Sequence, residues 1–340
     1  MNNTSKPRVT ARVMGTGLTV ALLALSLIHL VQGTQSISME VLVSILLSPL
    51  GCSSLGTPTD ELIIWSIRLP RLITALIVGA GLSTAGAALQ GLFRNPLADP
   101  YVLGFASGGA FGAALAMLLA GPILLGPSLG AFIGSSIAGL LVLMLSRNRA
   151  QNELNTILLA GIAVGLVFSA MLSMVLLFAQ RQAGELISWL LGNVGQTTWL
   201  QISVIALLSF VGFVMIWSHS RALDLISLGV PTARGLGVDF KRLRNITLLG
   251  TFLLVSSAVA YCGVIGFIGL IVPHVMRQLI GPRHRILMPL SALGGAGLLV
   301  AADLTSRWIM PGRELPVGVV TALIGGPFFL FLLRRGRFHA

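Results

Sequence analysis

The sequence predicts an all-α polytopic membrane protein. Of its 340 residues, 55% are hydrophobic and only 9% are charged, and the mean hydropathy is +0.93. Roughly a quarter of the residues in an ordinary soluble domain are charged, and these residues face water. The apolar stretches of this chain are each about as long as the ~20 residues that a helix needs to cross a bilayer. We therefore expect a single transmembrane domain over residues 1–340.

About ten stretches are candidate spans. They lie near residues 14–32, 68–92, 100–120, 122–145, 156–179, 199–218, 246–262, 264–279, 287–309 and 316–333. The weakest divisions fall between Gly121 and Pro127, where one hydrophobic block must be cut in two, and around Gly263. A count of nine or eleven spans stays open.

The first span begins with a basic segment. Lys6, Arg8 and Arg12 precede an apolar run from Val13 to Val31, as in a secretory signal peptide. No small-x-small cleavage site closes this run, and the rest of the chain is also apolar. We expect a retained first span.

The second span has different chemistry at its two ends. It opens with Arg68-Leu-Pro-Arg71, which suits an acidic partner, because arginine offers a planar fork to carboxylates. It ends in a turn that contains Pro96 and Pro100. Proline stiffens a turn, which suits a gate and an ordinary connection between helices equally.

Small residues recur at helical spacing inside several spans. Close approach of backbones through small residues holds helices together in lipid. In the fifth span, Gly161 and Gly165 are followed by Ser169 and Ser173. This face can pack against another helix, or it can line a translocation pathway.

The longest polar cytoplasmic segment lies between the sixth and seventh spans. We expect two short helices, one over residues 222–228 that Gly229 closes, and one after Pro231 that Gly235 or Gly237 closes. Apolar side chains stand among the charges of this segment, at Leu225, Leu228 and Leu236. Such a segment can bind a protein partner, or it can lie on lipid headgroups.

The basic residues give the orientation, because cytoplasmic loops retain Lys and Arg. With ten spans and a cytoplasmic N-terminus, all but five of the 22 basic residues lie inside, and the outer ones are Arg68, Arg71, Arg181, Arg307 and Arg313. The net charge of +12 therefore reflects topology, and we do not expect a nucleic-acid partner.

The ionisable residues argue against other transporter and enzyme classes. All ten acidic residues can be placed near a surface, and Asp303 fits an i,i+4 pair with Arg307. Ion-coupled carriers usually need an ionisable group at the midplane. Neither Lys6 nor Lys241, the only lysines, follows a phosphate-binding glycine loop, so ATP would have to be hydrolysed by another protein.

An intramembrane enzyme is also disfavoured. Ser169, Ser173 and His29 are present, but no His or Asp stands at a helical spacing from either serine. Cys52 and Cys262 have no metal-binding spacing, so we expect no metal site and no catalytic residue.

Five blocks carry a resemblance to a known family. They are Arg68–Arg71, Gly86–Pro100, Leu225–Val238, Gly263–His274 and Glu314–Thr321. In their order and spacing the chain resembles, over nearly its whole length, the permease subunits of ATP-binding-cassette (ABC) importers for iron-siderophores, haem and cobalamin, the FecCD/BtuC-like type II importers.

The resemblance implies an assembly. Such permeases form homodimers of ten-helix subunits, with two cytoplasmic ATPase subunits, an outer substrate-binding protein and a central path at the dimer axis. It implies that ATP and Mg bind to the ATPases, and that this chain binds no cofactor. It also implies a bacterial or archaeal cytoplasmic membrane, with both termini in the cytoplasm.

The resemblance also assigns roles to residues. The outer arginines that would receive the binding protein are Arg68, Arg71 and Arg307. The ATPase-coupling residues, within a coupling segment at 219–245, are Leu225, Leu228, Gly229, Ala233, Arg234, Gly235 and Leu236. The cytoplasmic gate residues are Asn95, Leu97, Asn155 and Thr156.

The cargo is the least constrained inference. An iron chelate, either a siderophore or haem, is the commonest cargo among the proteins that this chain resembles, and we expect it here. Import of cobalamin by the same machinery is the alternative within the family. An ion-coupled secondary transporter is the alternative from another class.

Overall fold

The computed structural model describes residues 10–33, 35–51, 53–120, 126–146, 153–179, 183–309 and 314–334. Within these ranges all regular secondary structure is helical. Several residues named in the sequence analysis lie outside these ranges, including Lys6, Arg8, Cys52, Arg181 and Arg313. Gly121, at the predicted division between the third and fourth spans, also lies outside them.

Most helices match the predicted spans. The helices of the first half are α1 (Ala11–Val31), α2 (Met39–Leu47), α3 (Pro58–Ile63), α4 (Leu69–Leu92), α5 (Phe105–Ala120), α6 (Gly126–Ser146) and α7 (Glu153–Phe178). The helices of the second half are α8 (Ala183–Leu190), α9 (Trp199–Ser218), α10 (Ser220–Ile226), α11 (Val230–Gly235), α12 (Phe240–Cys262), α13 (Ile268–Ile280), α14 (His284–Trp308) and α15 (Val317–Arg334).

The span count is confirmed only in part. Among the described residues, seven helices are long and apolar enough to cross a membrane, and the four shorter apolar helices are Met39–Leu50, α5, α13 and α15. The seven long helices and α5, α13 and α15 each overlap one predicted span, whereas Met39–Leu50 overlaps none. That all ten cross the bilayer stays a prediction. Helices α2 and α8 were not predicted, because neither is long enough to stand out as a span. The terms inner and outer follow the predicted orientation, in which the N-terminus is cytoplasmic.

The second span begins earlier than predicted. Its helical path starts at Pro58 and reaches α4 through one wide turn at Ile64–Arg68, where the Leu69 amide bonds to the carbonyl of Ile64, five residues back. Pro70 has no N–H to donate, so the regular hydrogen bonding of the helix is interrupted near this point. The Arg68-Leu-Pro-Arg71 motif therefore lies inside a helical rod and not at its tip.

Helix α4 forms the centre of the fold. It contacts α9, α12, α13 and α14, and every residue from Gly81 to Leu92 is buried. A Cβ atom added to Gly86 would overlap the backbone of Gly269 in α13. Close backbone contact of this kind is the packing that the small residues predict.

A second group consists of α5, α6 and α7. A Cβ added to Gly112 of α5 would overlap the carbonyl of Gly130 in α6, so these two backbones also touch. Helix α12 joins the two groups, because it contacts α5 and α6 on one side and α4 and α9 on the other. The side chain of Asp239 accepts a hydrogen bond from the Arg242 amide (3.0 Å) and so caps the start of α12.

The predicted i,i+4 pair of Asp303 with Arg307 is present at 3.8 Å, near the outer end of α14. The side chain of Asp303 is buried between helices, which the sequence did not predict. Closer partners from α1 and α4 surround it, and these contacts between distant parts of the chain were not visible in the sequence. A buried carboxylate is costly unless it is paired and hydrogen-bonded, and Asp303 is both.

Candidate functional site

The two predicted helices of the coupling segment are present as α10 and α11. Gly229 (φ 111°) separates them, and Gly237 (φ 85°) follows the second. These positive φ values favour glycine, which explains why both turns occur where the sequence places them. Pro231 stands in the first turn of α11, where its missing N–H costs no hydrogen bond.

The coupling segment has a buried face and an exposed face. Ile226 and Ala233 are buried, whereas Leu228 and Leu236 are 62% and 59% exposed. Leu225 is half-buried. Among the predicted coupling residues, Leu228 and Leu236 therefore offer apolar surface to a partner, while Ala233 holds α11 against the rest of the protein.

One arginine and two glycines are the remaining predicted coupling residues. Arg234 and Gly235 are exposed, and Gly229 is half-buried. The guanidinium of Arg234 lies 5.6 Å from the centre of the Phe240 ring, so α11 is tied to the start of α12 by a cation–π contact.

One ionisable pair attaches the coupling segment to a long span. Asp224 Oδ1 in α10 accepts hydrogen bonds from the backbone N–H of His284 (2.8 Å) and from its ring Nδ1 (2.7 Å). His284 is the first residue of α14, and its ring is buried beside Gly91 at the inner end of α4. A carboxylate at a helix N-terminus also meets the positive end of the helix dipole. Movement of α10 therefore acts directly on α14.

The predicted inner gate begins with a compact turn after α4. Asn95 Oδ1 accepts a hydrogen bond from the Leu97 amide (2.9 Å), and both residues are half-buried. Asp99 Oδ1 accepts from the Tyr101 amide (2.7 Å). Burial raises the pKa of Asp99 to about 6, and the hydrogen bond from the Tyr101 amide opposes this rise.

This turn is fixed from two sides. The Tyr101 hydroxyl donates to the carbonyl of Ile265 (2.8 Å) and accepts from the Ile265 amide (3.0 Å). On the other side, a Cβ added to Gly161 of α7 would stand 2.6 Å from the Val102 carbonyl oxygen. Gly161 therefore packs helix against turn, which is the first of the two roles left open for it.

The other residues of α7 that were predicted to form the gate or line the pathway lie on different faces of the helix. Asn155 is exposed and Thr156 half-buried near the inner end of α7. Gly165 faces the start of α5, where a Cβ would stand 3.4 Å from Ser107 Oγ. Ser169 and Ser173 are exposed, and Ser173 Oγ donates to the Ser169 carbonyl (2.9 Å). These two serines lie on a face that no described part of this chain covers.

A buried cluster of charges joins three helices at the outer side. Arg71 of α4 donates to both oxygens of Asp303 in α14, with Nε–Oδ2 at 2.9 Å and Nη2–Oδ1 at 2.8 Å. The same guanidinium donates to Glu314 through Nη1 (2.8 Å). His29 Nε2 of α1 lies 2.8 Å from Asp303 Oδ2. Two-point contacts between arginine and carboxylate are among the strongest hydrogen bonds in proteins.

The three outer arginines predicted to receive the binding protein differ in exposure. Arg68 is 4% exposed and donates to the backbone carbonyls of Leu30, Val31 and Gln35. Arg71 is 7% exposed and held as described above. Arg307 is half-buried, and its Nη1 donates to the Gln32 carbonyl (3.2 Å). Its Nε and Nη2 make no hydrogen bond to the described residues, although Nε lies 3.8 Å from Asp303.

Sequence reasoning missed the contribution of His29, Asp303 and Glu314 to this cluster. The available signal was that ionisable residues stand at the outer ends of the first, second and ninth predicted spans. That signal places them at one depth but does not show that they touch. Among the described residues, no group of three His, Cys, Asp or Glu side chains is placed to hold a metal ion.

Comparisons with known proteins agree with this architecture. Residues 21–335 match the model of the FecCD transport family. The chain is 39% identical to the cobalamin import system permease protein BtuC of Halobacterium salinarum, over 82% of this chain and 75% of that protein. It is 39% identical to the vitamin B12 import system permease protein BtuC of Salmonella typhi, over 88% of this chain and 93% of that protein.

A solved structure described as an inward-facing ABC transporter of metal-chelate type has the same fold. It aligns with a TM-score of 0.84 at 31% sequence identity, over 95% of this chain and 99% of that chain. The resemblance found in the five sequence blocks is thereby confirmed. The chain belongs to the FecCD transport family of ABC importer permeases.

Proposed function

We propose that this chain forms the membrane pathway for a metal chelate, works as a homodimer, and is driven by two separate ATPase subunits. The observation that carries the proposal is an exposed apolar surface on α10 and α11 that is bonded through Asp224 to the start of α14. A binding protein delivers the chelate at the outer side of a bacterial or archaeal cytoplasmic membrane. In this arrangement both termini are cytoplasmic, and ATP and Mg bind only to the ATPases.

The ATPase contact is centred on Leu228 and Leu236. Both leucines are more than half exposed among polar neighbours, on the side of the protein that carries most of its positive charge. Burying a leucine side chain contributes about 1.5–3 kcal/mol. Two such side chains would together contribute about 3–6 kcal/mol to the binding of a partner that pulls on this segment.

The force that the ATPase exerts on α10 is then transmitted along α14. Asp224 fixes α10 to the inner end of this helix, and Asp303 joins its outer end to Arg71 of α4. Helices α4 and α14 also pack closely between these two points. A movement of α10 therefore tilts α14 and α4 together, and the pathway alternates between its two openings.

The exposed face of α7 supports the homodimer. It presents Leu159, Leu166 and Leu177, each more than 65% exposed, together with Ser169 and Ser173. A second copy that faces it would enclose a weakly polar pathway, and the turn at Asn95–Leu97 with Asn155 and Thr156 would close its inner end. Such a pathway binds a preformed chelate weakly, so the binding protein determines selectivity.

At the outer side, Arg307 is the least buried of the three arginines, so we propose that it is the one that meets a carboxylate of the binding protein. Arg68 and Arg71 direct their own hydrogen bonds into the chain, so they support this end of the protein and do not contact the partner.

The cargo is a metal chelate, and cobalamin is the first candidate. Two similar permeases are named for cobalamin or vitamin B12 import, and the similar solved structure is described as of metal-chelate type. An iron chelate, siderophore or haem, is the second candidate. Comparing the binding of cobalamin and of ferric siderophores to the cognate binding protein distinguishes the two, and tight binding of the siderophore alone would exclude cobalamin.

An ion-coupled carrier is not supported by the buried carboxylate. Asp303 is buried, as a coupling site requires. Both of its oxygens are bonded to Arg71, and His29 bonds to one of them, so a driving ion would have to displace an arginine.

The first prediction concerns the ATPase contact. Leu228→Asn and Leu236→Asn each remove apolar surface that the ATPase would bury, so each should weaken its binding about tenfold or more. The measurement is the affinity of the purified ATPase for the solubilised permease. Leu279→Asn is the matched control, because Leu279 is an exposed leucine at the inner end of α13 and outside α10 and α11. An equal loss of ATPase affinity in all three variants would exclude this contact.

The second prediction concerns transmission through Asp224. Asp224→Ala removes both acceptor contacts to His284, and hydrogen bonds to a charged group contribute about 1.5–3 kcal/mol. We expect the ATPase to remain bound and active, while cargo imported per ATP hydrolysed falls about tenfold. Asp224→Asn keeps an acceptor oxygen and should restore most of the coupling. Unchanged transport per ATP in Asp224→Ala would show that force reaches the spans elsewhere.

The third prediction concerns docking. Arg307→Gln leaves Asp303 paired with Arg71 and His29, so the fold should persist while the affinity for the binding protein falls about tenfold. Arg307→Lys keeps the charge without the planar fork and should give an intermediate value. Arg71→Glu is unsuitable, because it would place a third carboxylate beside Asp303 and Glu314. Full affinity in Arg307→Gln would remove this residue from the docking surface.

A further inference from the structure

A cavity of about 590 Å³ lies between α6, α12 and the start of α5. None of the predicted pathway residues of α7 lines it. Its deep wall consists of Phe105, Val142 and Leu248, all buried. Its rim is formed by Leu140 and Leu249, which are 55% and 50% exposed. In a membrane protein, exposed leucines face either acyl chains or a second subunit. The face proposed to meet a second copy is that of α7, which does not line this cavity, so we infer that the cavity opens sideways into lipid.

The inner end of the cavity is cationic. Lys241 and Arg244 line it at the start of α12, together with Asn245, whose Oδ1 accepts from Arg244 Nη2 (2.8 Å). Leu248 and Leu249 follow about one helical turn further into the membrane. The nearby carboxylate of Asp239 is engaged in capping α12. Along a single helix the lining therefore changes from positive to apolar, in the direction from the cytoplasm toward the bilayer centre.

This order of chemistry matches an anionic phospholipid of the inner leaflet. Basic pockets between spans on the cytoplasmic side bind acidic lipid headgroups, and each Lys or Arg near the surface contributes to that attraction. A free anion has no acyl chain to fill the apolar part, and a zwitterionic lipid carries a cationic group that offsets the attraction of its phosphate to the basic end, so an anionic phospholipid fits best.

We propose that this cavity is a binding site for one anionic phospholipid, with its phosphate at the exposed Lys241 and an acyl chain between α6 and α12. The phosphate would contact the last residues of the coupling segment, at the start of α12. The site is independent of the cargo and does not depend on the proposed transport function.

The test measures lipid dissociation constants by native mass spectrometry of the full-length protein. The probes are dioleoyl-phosphatidylglycerol, dioleoyl-phosphatidylcholine and inorganic phosphate. We expect phosphatidylglycerol to bind more tightly than phosphatidylcholine, and phosphate not to compete at millimolar concentration. Lys241→Gln should weaken phosphatidylglycerol about fivefold and leave phosphatidylcholine unchanged.

Two further variants distinguish binding in this cavity from non-specific electrostatic attraction between anionic lipid and the basic surface. Arg242→Gln removes the same charge one residue away, from a side chain that does not line the cavity, and should change the affinity less than twofold. Ser136→Phe fills the apolar part, and should weaken phosphatidylglycerol at least tenfold without lowering thermal stability. The proposal is overturned by equal effects of Lys241→Gln and Arg242→Gln, by unchanged binding in Ser136→Phe, or by competition from phosphate alone.

Discussion

The hydrogen bonds between Asp224 and His284 are the interaction on which the mechanism depends. They are the direct polar link between the coupling segment and a long span, and they join α10 to the first residue of α14. At the other end of α14, Asp303 is held by Arg71 and His29. One helix is therefore held by charged groups at both membrane faces, so a displacement at its inner end reaches the outer side.

Membrane physics explains why the charged groups occur at the ends of the spans and glycines between them. Helices in lipid gain little from burying apolar surface, so they associate through close backbone packing. The contact of Gly86 with Gly269 and that of Gly112 with Gly130 show this packing within the two groups of helices. Closely packed helices move as units, and rigid units transmit tilting better than flexible ones. The polar pairs then determine which units move together.

The sequence predicted features that depend on local chemistry. Gly229 and Gly237 end short helices because their φ values are positive, and Leu228 and Leu236 are exposed because neighbouring residues bury the opposite face. The burial of Arg71 could not be predicted, because its partner Asp303 is 232 residues away in the chain. A positive residue at an outer span end looks the same whether it faces solvent or a buried carboxylate. His29 was missed for the same reason.

The central claim is that this chain is a pathway without an energy source of its own. The most direct measurement is cargo accumulation in proteoliposomes that contain the purified chain, with and without its ATPase subunits, in the presence of the binding protein and under an imposed proton or sodium gradient. The account predicts accumulation only when the ATPase and ATP are both present. Accumulation against a gradient by the chain without the ATPase would contradict it.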